Sequence, residues 1–588
     1  MLVAEYLGRS SALKRIYGGK VAGLSFSIDQ IQLKSGAEIK LPPRGITAIV
    51  GGNNVGKSTV LRELLACMDR NDNRKIANTK VLRDASLSKI DRFDNLLSWL
   101  QENGYYTSAG TYALPGSSPG IADHVVRYLW ESIGSLGQLM PFLVHYSEVV
   151  SRVGLVGGVS RREDISSPPA HPMHHIEDDE ELLGQFNKIC VRIFRVPLTL
   201  DRLSNTVAFR VGTTNVAAPP VDAVTRDYRD ALSSLPLLSE QGDGMRSLMG
   251  ALLAVMTSSY PVVLIDEPEA FLHPPQAFEL GRVLGEIASK REIQIVLATH
   301  DRNLVAGLLE VDHDVSIVRL DRDEGNTTAS QLQSSEVKLL WSDSVLRYSN
   351  VLDGLFHRMV VLAEGEDDCK FYQAALDALD DGDAARVAPS EVLFLPTGGK
   401  DGMSKIAKAL LSLRVRVVAS PDLDLLDNSG KVRKLVESFG GRWDDFKDDY
   451  QTAVKPFQVP HPKAAHRDIL DAVSSVLGKD PDAPWDGASA NAVRAQMRLA
   501  ESPWKALKLY GMRAFKTGES RAAAKRLLDR LDVLGICLVR EGELERFAND
   551  IEVSKGPEWL PAAIADGAHA KEEAREHLRR VIGSRLVA

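Results

Sequence analysis

Short apolar runs, rich in β-branched side chains and closed by glycine or an acid, recur along the chain, and several are followed at once by residues spaced as an amphipathic helix. Near the start, LSFSIDQIQL (24–33), AEIKL (37–41) and ITAIV (46–50) are separated by Gly or Pro turns and predict a small β-meander. A helical pattern, TVLRELLACM, follows the third run. DNLLSWLQENG (94–104) and ADHVVRYLWESIGSLGQLM (122–140) predict helices on either side of a Gly/Ser/Pro loop at 108–120, so the stretch of about 61–140 reads as a helical insertion. LVHYS (143–147) predicts a short strand. Val262–Ile265 and the run REIQIVLATHD (291–301) predict buried parallel strands. Residues 320–350 are polar, lack a strand pattern and read as a junction.

Beyond it, Met359–Ala363, VLFLPTGGKDGMSKIAKAL (392–410) and RVRVVASPDLDLL (414–426) repeat strand, loop and helix, which predicts a second parallel sheet. A later strand lies in VLGICLVREGELERF (533–547), and 441–530 reads as a mostly helical insertion. The expected class is α/β, in two domains spanning 1–340 and 351–588.

Composition narrows the class. Among 588 residues no run of eighteen is apolar, and the N-terminus lacks the pattern of a signal peptide, so neither a membrane span nor secretion is expected. The four cysteines are far apart and form no C-x-x-C pair, as expected of buried thiols in a reducing cytoplasm. A net charge of -8 disfavours a uniformly basic coat but permits a local basic channel. The absence of a long heptad run disfavours a coiled-coil arm. The histidines of the Pro-rich stretch 166–181, His171, His174 and His175, have no cysteine near them, and proline breaks the spacing. They read as a solvated loop, not a metal site.

The sharpest chemical signal follows ITAIV. Gly51, Gly56, Lys57 and Ser58 fit G-x-x-x-x-G-K-[ST], between a strand and a helix as that loop requires. The glycines, with Asn53, Asn54, Val55 and Thr59 around them, let backbone amides and a helix N-terminus face a polyphosphate. Lys57 would reach the β- and γ-phosphates of ATP, and Ser58 would ligate Mg2+. At the end of Val262–Ile265, Asp266 would bind that Mg2+, and Glu267 would orient and deprotonate the attacking water. His300, at the next strand tip, is placed to contact the γ-phosphate. Ser239, Gly242 and Gly244 precede a helix and would hold phosphate bound by a second subunit.

Together GGNNVGKST, SEQGDGMRS, VVLIDEPEAFLHP and LATHD resemble an ABC-type ATPase head of the kind found in chromosome-maintenance and break-repair ATPases. The resemblance covers residues 1 to about 320 and implies that two heads sandwich two ATP molecules, hence a homodimer or higher oligomer such as a tetramer. QGDG departs from the LSGGQ-like signature of that family, which touches the contact made across the dimer. The family's Mg2+-binding glutamine has no assigned position in this sequence.

In the second parallel sheet, Glu364, Asp422 and Asp424 follow strand ends and are expected to converge. Three convergent carboxylates need cations, which suits Mg2+-assisted phosphodiester cleavage, with Mn2+ as an alternative ion. Residues 492–530 carry ten Lys or Arg against three acids, with Trp504 and Tyr510 interleaved, a candidate contact for DNA phosphates; Lys516, in the loop FKTGE, is the lysine nearest in kind to an active-site cation.

This second unit resembles the TOPRIM fold, and an ATPase head followed by TOPRIM in one chain is the layout of OLD (overcoming lysogenization defect) family nucleases. That resemblance implies metal ligation by Glu364, Asp422 and Asp424, a further ligand at Asp368, and completion of a second metal cluster by Glu543 or Glu545. It also implies an ATP-regulated DNA endonuclease, cytoplasmic, acting in antiphage defence with a possible accessory defence protein or retron component. The alternative is an ATP-switched scaffold or sensor that binds and controls a separate effector, its second unit inactive or accessory. A topoisomerase would need a nucleophilic tyrosine in a DNA-gate domain, and no such domain is recognisable.

Overall fold

Gly45–Val50 is buried along its whole length because it lies between two partners in a six-stranded sheet. In the computed structural model the strands run, edge to edge, Asn326–Leu332, Val315–Asp323, Gly45–Val50, Gln294–Ala298, Val262–Asp266 and Val144–Ser147. The last five are parallel, and Asn326–Leu332 pairs antiparallel at one edge. Ile49 faces Ala298, which faces Asp266. Gly51, Glu267 and Thr299 therefore leave the sheet along one edge.

The structure describes residues 24–584 except 70–78, 107–109, 115–119, 133–134, 163, 165–168, 258–259, 324, 343–349, 380–387, 459–464, 479–483, 488, 491, 494–502, 517, 552 and 554–555. The chain divides into two compact units, Met1–Arg347 and Tyr348–Ala588. No helix among the described residues is long and apolar enough to cross a membrane.

Four expectations for the first unit need correction. The expected meander splits. Phe26–Leu33 pairs antiparallel with Glu38–Lys40 and Leu82–Lys89 in a separate sheet, whereas Gly45–Val50 joins the parallel one. The burial patterns explain the split, since the first strand has one exposed and two partly exposed positions and the third has none. Residues 61–140 are not simply helical. Beyond the helix Lys57–Met68 they add Leu82–Lys89 and a small antiparallel sheet of Tyr105–Tyr106, Thr111–Ala113 and Ile121–Ala122 between helices Phe93–Asn103 and Asp123–Glu131. Strands of two or three residues carry no readable period.

The polar stretch 320–350 begins inside a hairpin, Val315–Asp323 with Asn326–Leu332, followed by the helix Ser334–Trp341. An edge hairpin shows polar side chains on one face, which hides it from hydropathy. The histidine-rich stretch is not a solvated loop either. Pro172–Asp178 is a helix, His171 Nδ1 caps it by accepting from the Met173 amide, and the buried His174 places Nε2 3.0 Å from the Ser160 carbonyl.

In the second unit Met359–Ala363 lies between Val392–Pro396 and Arg416–Ser420, all parallel. Isolated parallel bridges Ala419–Ile536 and Asp422–Val539 bring the 536–539 segment alongside. Helix Glu366–Asp377 packs Phe371 against Phe547 and Trp559, with ring centroids 5.6 and 5.9 Å apart. Helices Asp444–Val454 and Gly518–Leu534 lie in the stretch read as an insertion, with His466–Leu477 and Lys505–Tyr510. All four cysteines are buried, and burial pushes the thiols of Cys190, Cys369 and Cys537 up to about 12.

One buried side chain ties the sheet of Phe26–Leu33 to the six-stranded sheet. Gln294 Oε1 accepts from the Ile28 amide at 2.9 Å, while Nε2 donates to the carbonyls of Ile28 at 2.9 Å and Pro42 at 2.7 Å. Gln294→Ala strands one amide and two carbonyls, each costing on the order of 1 kcal/mol or more. The expected result is a total loss of about 2–4 kcal/mol, seen as an earlier urea transition of the first unit with an unchanged slope.

Candidate functional site

Gly51 and Gly56 stand at φ +144° and +105°, where side-chain-bearing residues are strained, and a Cβ on Gly51 would lie 2.4 Å from the Leu320 carbonyl oxygen. These constraints shape the loop that ends at the N-terminus of Lys57–Met68, where amides and helix dipole face the same way. The buried Lys57 donates through its ammonium to the carbonyls of Gly51 at 2.9 Å and Gly52 at 2.7 Å. Burial holds it below its ordinary value, against the pull of Glu267, Glu269 and Asp266. Ser58 Oγ donates to Asp266 Oδ1 at 2.8 Å, two oxygens suited to sharing a Mg2+ ion. Burial raises the Asp266 pKa, and the Ser58 bond opposes that.

Glu267 lies just past the strand at φ +46° with its side chain partly exposed. His300 Nδ1 is 3.7 Å from Glu267 Oε1 and 3.2 Å from Glu269 Oε1. Glu269 is buried and accepts from Thr299 Oγ1 at 2.7 Å and from the His300 amide at 3.0 Å. Its burial raises its pKa. The fold thus gathers the glycine loop, Lys57, Ser58, Asp266, Glu267 and His300 at one strand edge. Ser239 lies in the turn Leu238–Glu240, Gly242 precedes helix Asp243–Thr257, and Gly244 is in its first turn. The strand beside Val262–Asp266 ends at Ser147 and is followed by Glu148, so no glutamine occupies that tip.

Two residues of this edge carry no local signal in the sequence. Arg152, on the short helix Val149–Leu155, is fully buried, and a lone arginine in a helical pattern normally reads as a surface residue. Glu269 could be suspected only from its place two residues beyond the acidic pair.

In the second unit Ala363 is in register with Pro396 and Ser420, so Glu364 and Asp422 leave neighbouring strands at one edge. One ligand oxygen each from Glu364, Asp422 and Asp424 lies within 4.8 Å of the others. The Asp422 amide donates to Glu364 Oε1 at 3.1 Å, and Asp422 Oδ1 is buried without a hydrogen-bond partner. Such a donor set fits a divalent cation. Asp368 Oδ2 accepts from the Gly365 amide at 3.0 Å, capping its own helix. Glu543 arrives on the segment that bridges Asp422, and Glu545 follows, its charge acting on Asp368.

The cations on this cluster are Lys400 and Lys508. Lys400 Nζ contacts Asp424 Oδ1 at 2.5 Å and reaches Glu364 Oε1 at 4.0 Å. Lys508 Nζ lies 3.6, 3.4 and 3.7 Å from Asp422, Asp424 and Glu543. Lys516 is exposed and takes part in none of these pairs. Lys508 belongs to the basic stretch expected to face DNA. Other members of that stretch face acids instead, with Arg526 and Arg530 on Asp449 at 2.7 and 3.6 Å. Arg494 and Arg498 lie outside the described residues. Burial, with Glu364 and Asp368 adding to it, pushes the Asp422 carboxyl up to about 8, and burial pushes Asp368 up to about 6. Burial also raises Glu364, against Lys400.

Residues 192–306 match the family described as "AAA domain, putative AbiEii toxin, Type IV TA system". That stretch holds Ser239, Gly242, Gly244, Asp266, Glu267 and His300. With the glycine loop it decides the class of this unit. The first unit is an ATPase-type domain. No curated protein sequence matches the chain. Solved structures similar to it include the Smc head domain from Pyrococcus furiosus bound to the C-terminal domain of ScpA (10% identity, 54% of this chain and 99% of that one, TM-score 0.32). Others are the SMC head domain from Thermotoga maritima (15%, 52% and 99%, TM-score 0.28) and a nucleotide-free ATP-binding cassette from an ABC transporter (13%, 54% and 96%, TM-score 0.25).

The raised carboxyls set a pH dependence. Folded Asp422 holds its proton up to about pH 8, whereas the unfolded chain releases it near 3.8, so the folded state binds more protons in between. Without divalent cations, the second unit should lose stability as pH rises through that window. A cation that needs the ionised carboxylates should offset the loss and bind more tightly at higher pH. Melting from pH 4 to 8, in EDTA and in saturating Mg2+, checks both signs.

Proposed function

We propose that the chain is an ATP-regulated, divalent-metal-dependent endonuclease that cleaves DNA phosphodiester bonds. The observation that carries this reading is the convergence of Glu364, Asp422 and Asp424 within 4.8 Å at a parallel strand edge, in the same chain as an ATPase-type domain. In this reading Lys57 and the loop amides hold ATP, Ser58 and Asp266 hold its Mg2+, Glu267 orients the attacking water and His300 contacts the γ-phosphate.

The second cluster takes Mg2+ or Mn2+, which supplies charge neutralisation and an activated water. Glu364, Asp422 and Asp424 hold the ion, with Asp368, Glu543 and Glu545 flanking a second position. Lys508 Nζ, 3.6 Å from Asp422 and 3.4 Å from Asp424, is the cation that would meet a DNA phosphate at this cluster. Burial opposes its charge, but these carboxylates hold its pKa above the ordinary value, so it stays cationic. The layout is that of OLD-family nucleases with a TOPRIM unit. ATP-dependent pairing of two heads, with Ser239, Gly242 and Gly244 serving the partner's nucleotide, would regulate cutting in antiphage defence.

The pairing of Lys400 and Lys508 with the same carboxylates favours a second reading, in which lysines neutralise an inert cluster and the protein is an ATP-switched scaffold. Supercoiled plasmid with Mg2+ or Mn2+, with and without ATP, separates the two. A nuclease nicks or linearises it, Glu364→Ala and Asp422→Ala lower the rate at least about 100-fold, and both variants keep ATP hydrolysis within about twofold. Lys57→Ala loses nucleotide binding. Cutting by Glu364→Ala at the wild-type rate would overturn the nuclease assignment.

A further inference from the structure

Arg152 is fully buried and touches neither the glycine loop nor Lys57 through any of its side-chain hydrogen bonds; it spends them on the backbone of the catalytic edge. Nη1 donates to the carbonyls of Ser147 at 3.1 Å and Asp266 at 2.7 Å, and Nη2 donates to the Glu267 carbonyl at 2.8 Å. The guanidinium therefore spans two neighbouring strand tips. Glu267 is held in the left-handed region at φ +46°, a conformation that costs a side-chain-bearing residue about 1–3 kcal/mol and survives only where its surroundings fix it. Its amide donates to the Ala298 carbonyl at 2.9 Å, and its own carbonyl accepts from Arg152 and from the Ala270 amide at 3.0 Å. These bonds fix the backbone from which the Glu267 carboxylate projects.

A second contact reaches Arg152 from the other side. A Cβ on Gly250, midway along Asp243–Thr257, would lie 2.0 Å from the Arg152 carbonyl oxygen. One on Gly244 would lie 2.5 Å from the Phe271 carbonyl oxygen, four residues past Glu267. Helix Asp243–Thr257 thus lies backbone to backbone on the helix of Arg152 and on the turn after Glu267, with no side chain between them to absorb a shift.

The geometry assigns Arg152 as a positioning residue that sets the backbone of Asp266 and Glu267 and passes to it any displacement of helix Asp243–Thr257. This deepens the ATPase reading above and rests on it. It also gives the helix behind Ser239 and Gly242 a route to the water-activating carboxylate that does not run through the nucleotide.

The test is steady-state ATP hydrolysis and Mg-ATP binding by the full chain carrying Arg152→Met, Arg152→Lys or Gly250→Ala, with melting recorded in parallel. Arg152→Met should lower kcat at least about tenfold while KM and nucleotide affinity change less than about threefold, because the phosphate loop is untouched. Arg152→Lys, able to reach fewer carbonyls, should fall between Arg152→Met and wild type. Gly250→Ala, which pushes on the Arg152 backbone, should show the same split between kcat and KM, and joining it to Arg152→Met should add little further loss. Should Arg152→Met fail to fold, the Arg152→Lys and Gly250→Ala results decide alone. Wild-type kcat in the folded variants, or kcat and affinity falling together with the melting temperature, overturns the assignment. Lys57-dependent hydrolysis by wild type shows which reading has failed. If it is present while Arg152→Met matches wild type, only the positioning role falls; if it is absent, the ATPase reading falls and takes this proposal with it.

Discussion

Carboxylates crowded together away from water raise one another's pKa, and a fold keeps them only where positive charge or hydrogen-bond donors face them. Both strand edges of this chain are built under that constraint. At the first, Asp266, Glu267 and Glu269 are met by Lys57, Arg152 and the donors of Ser58 and Thr299. At the second, Glu364, Asp422 and Asp424 are met by Lys400 and Lys508. Asp422 still has a buried oxygen without a partner. At the first edge Glu269 Oε2 is likewise buried without a hydrogen-bond partner among the described residues, and each edge offers oxygens that a small cation can take.

Parallel register does the assembling. The side chains at each edge come from distant parts of the chain, yet strands paired in step must end together, so a residue one or two positions past each strand arrives beside its counterparts. This is why much of both sites was legible in advance. Gly51 through Ser58, Asp266, Glu267 and His300 announce themselves as residues closing apolar runs, and Glu364, Asp422 and Asp424 do so in the second unit. The expectation that those three carboxylates converge needed only the parallel direction of the strands, not their order.

What escaped reading has two physical causes. Arg152, Lys400 and Lys508 act through tertiary contacts, and a cation's partner across the fold leaves no trace in its neighbours along the chain. Lys516 looked the better candidate because its loop resembles a site, whereas Lys508 sits on a helix that looks like an ordinary basic surface. The second cause is patterning. The Val315–Asp323 hairpin, the short strands between 105 and 122, and the helix Pro172–Asp178 are too polar, too short or too proline-rich to show a period, and neighbouring elements impose their conformation.

The buried thiols have a practical consequence. With every cysteine enclosed and three of them held far from ionisation at neutral pH, the native protein offers maleimide or haloacetamide reagents little to react with. A single cysteine engineered on an exposed helix face would take up a fluorophore or spin label against a nearly silent background. Distances within and between copies of the chain then become measurable without first stripping the natural cysteines from its cores.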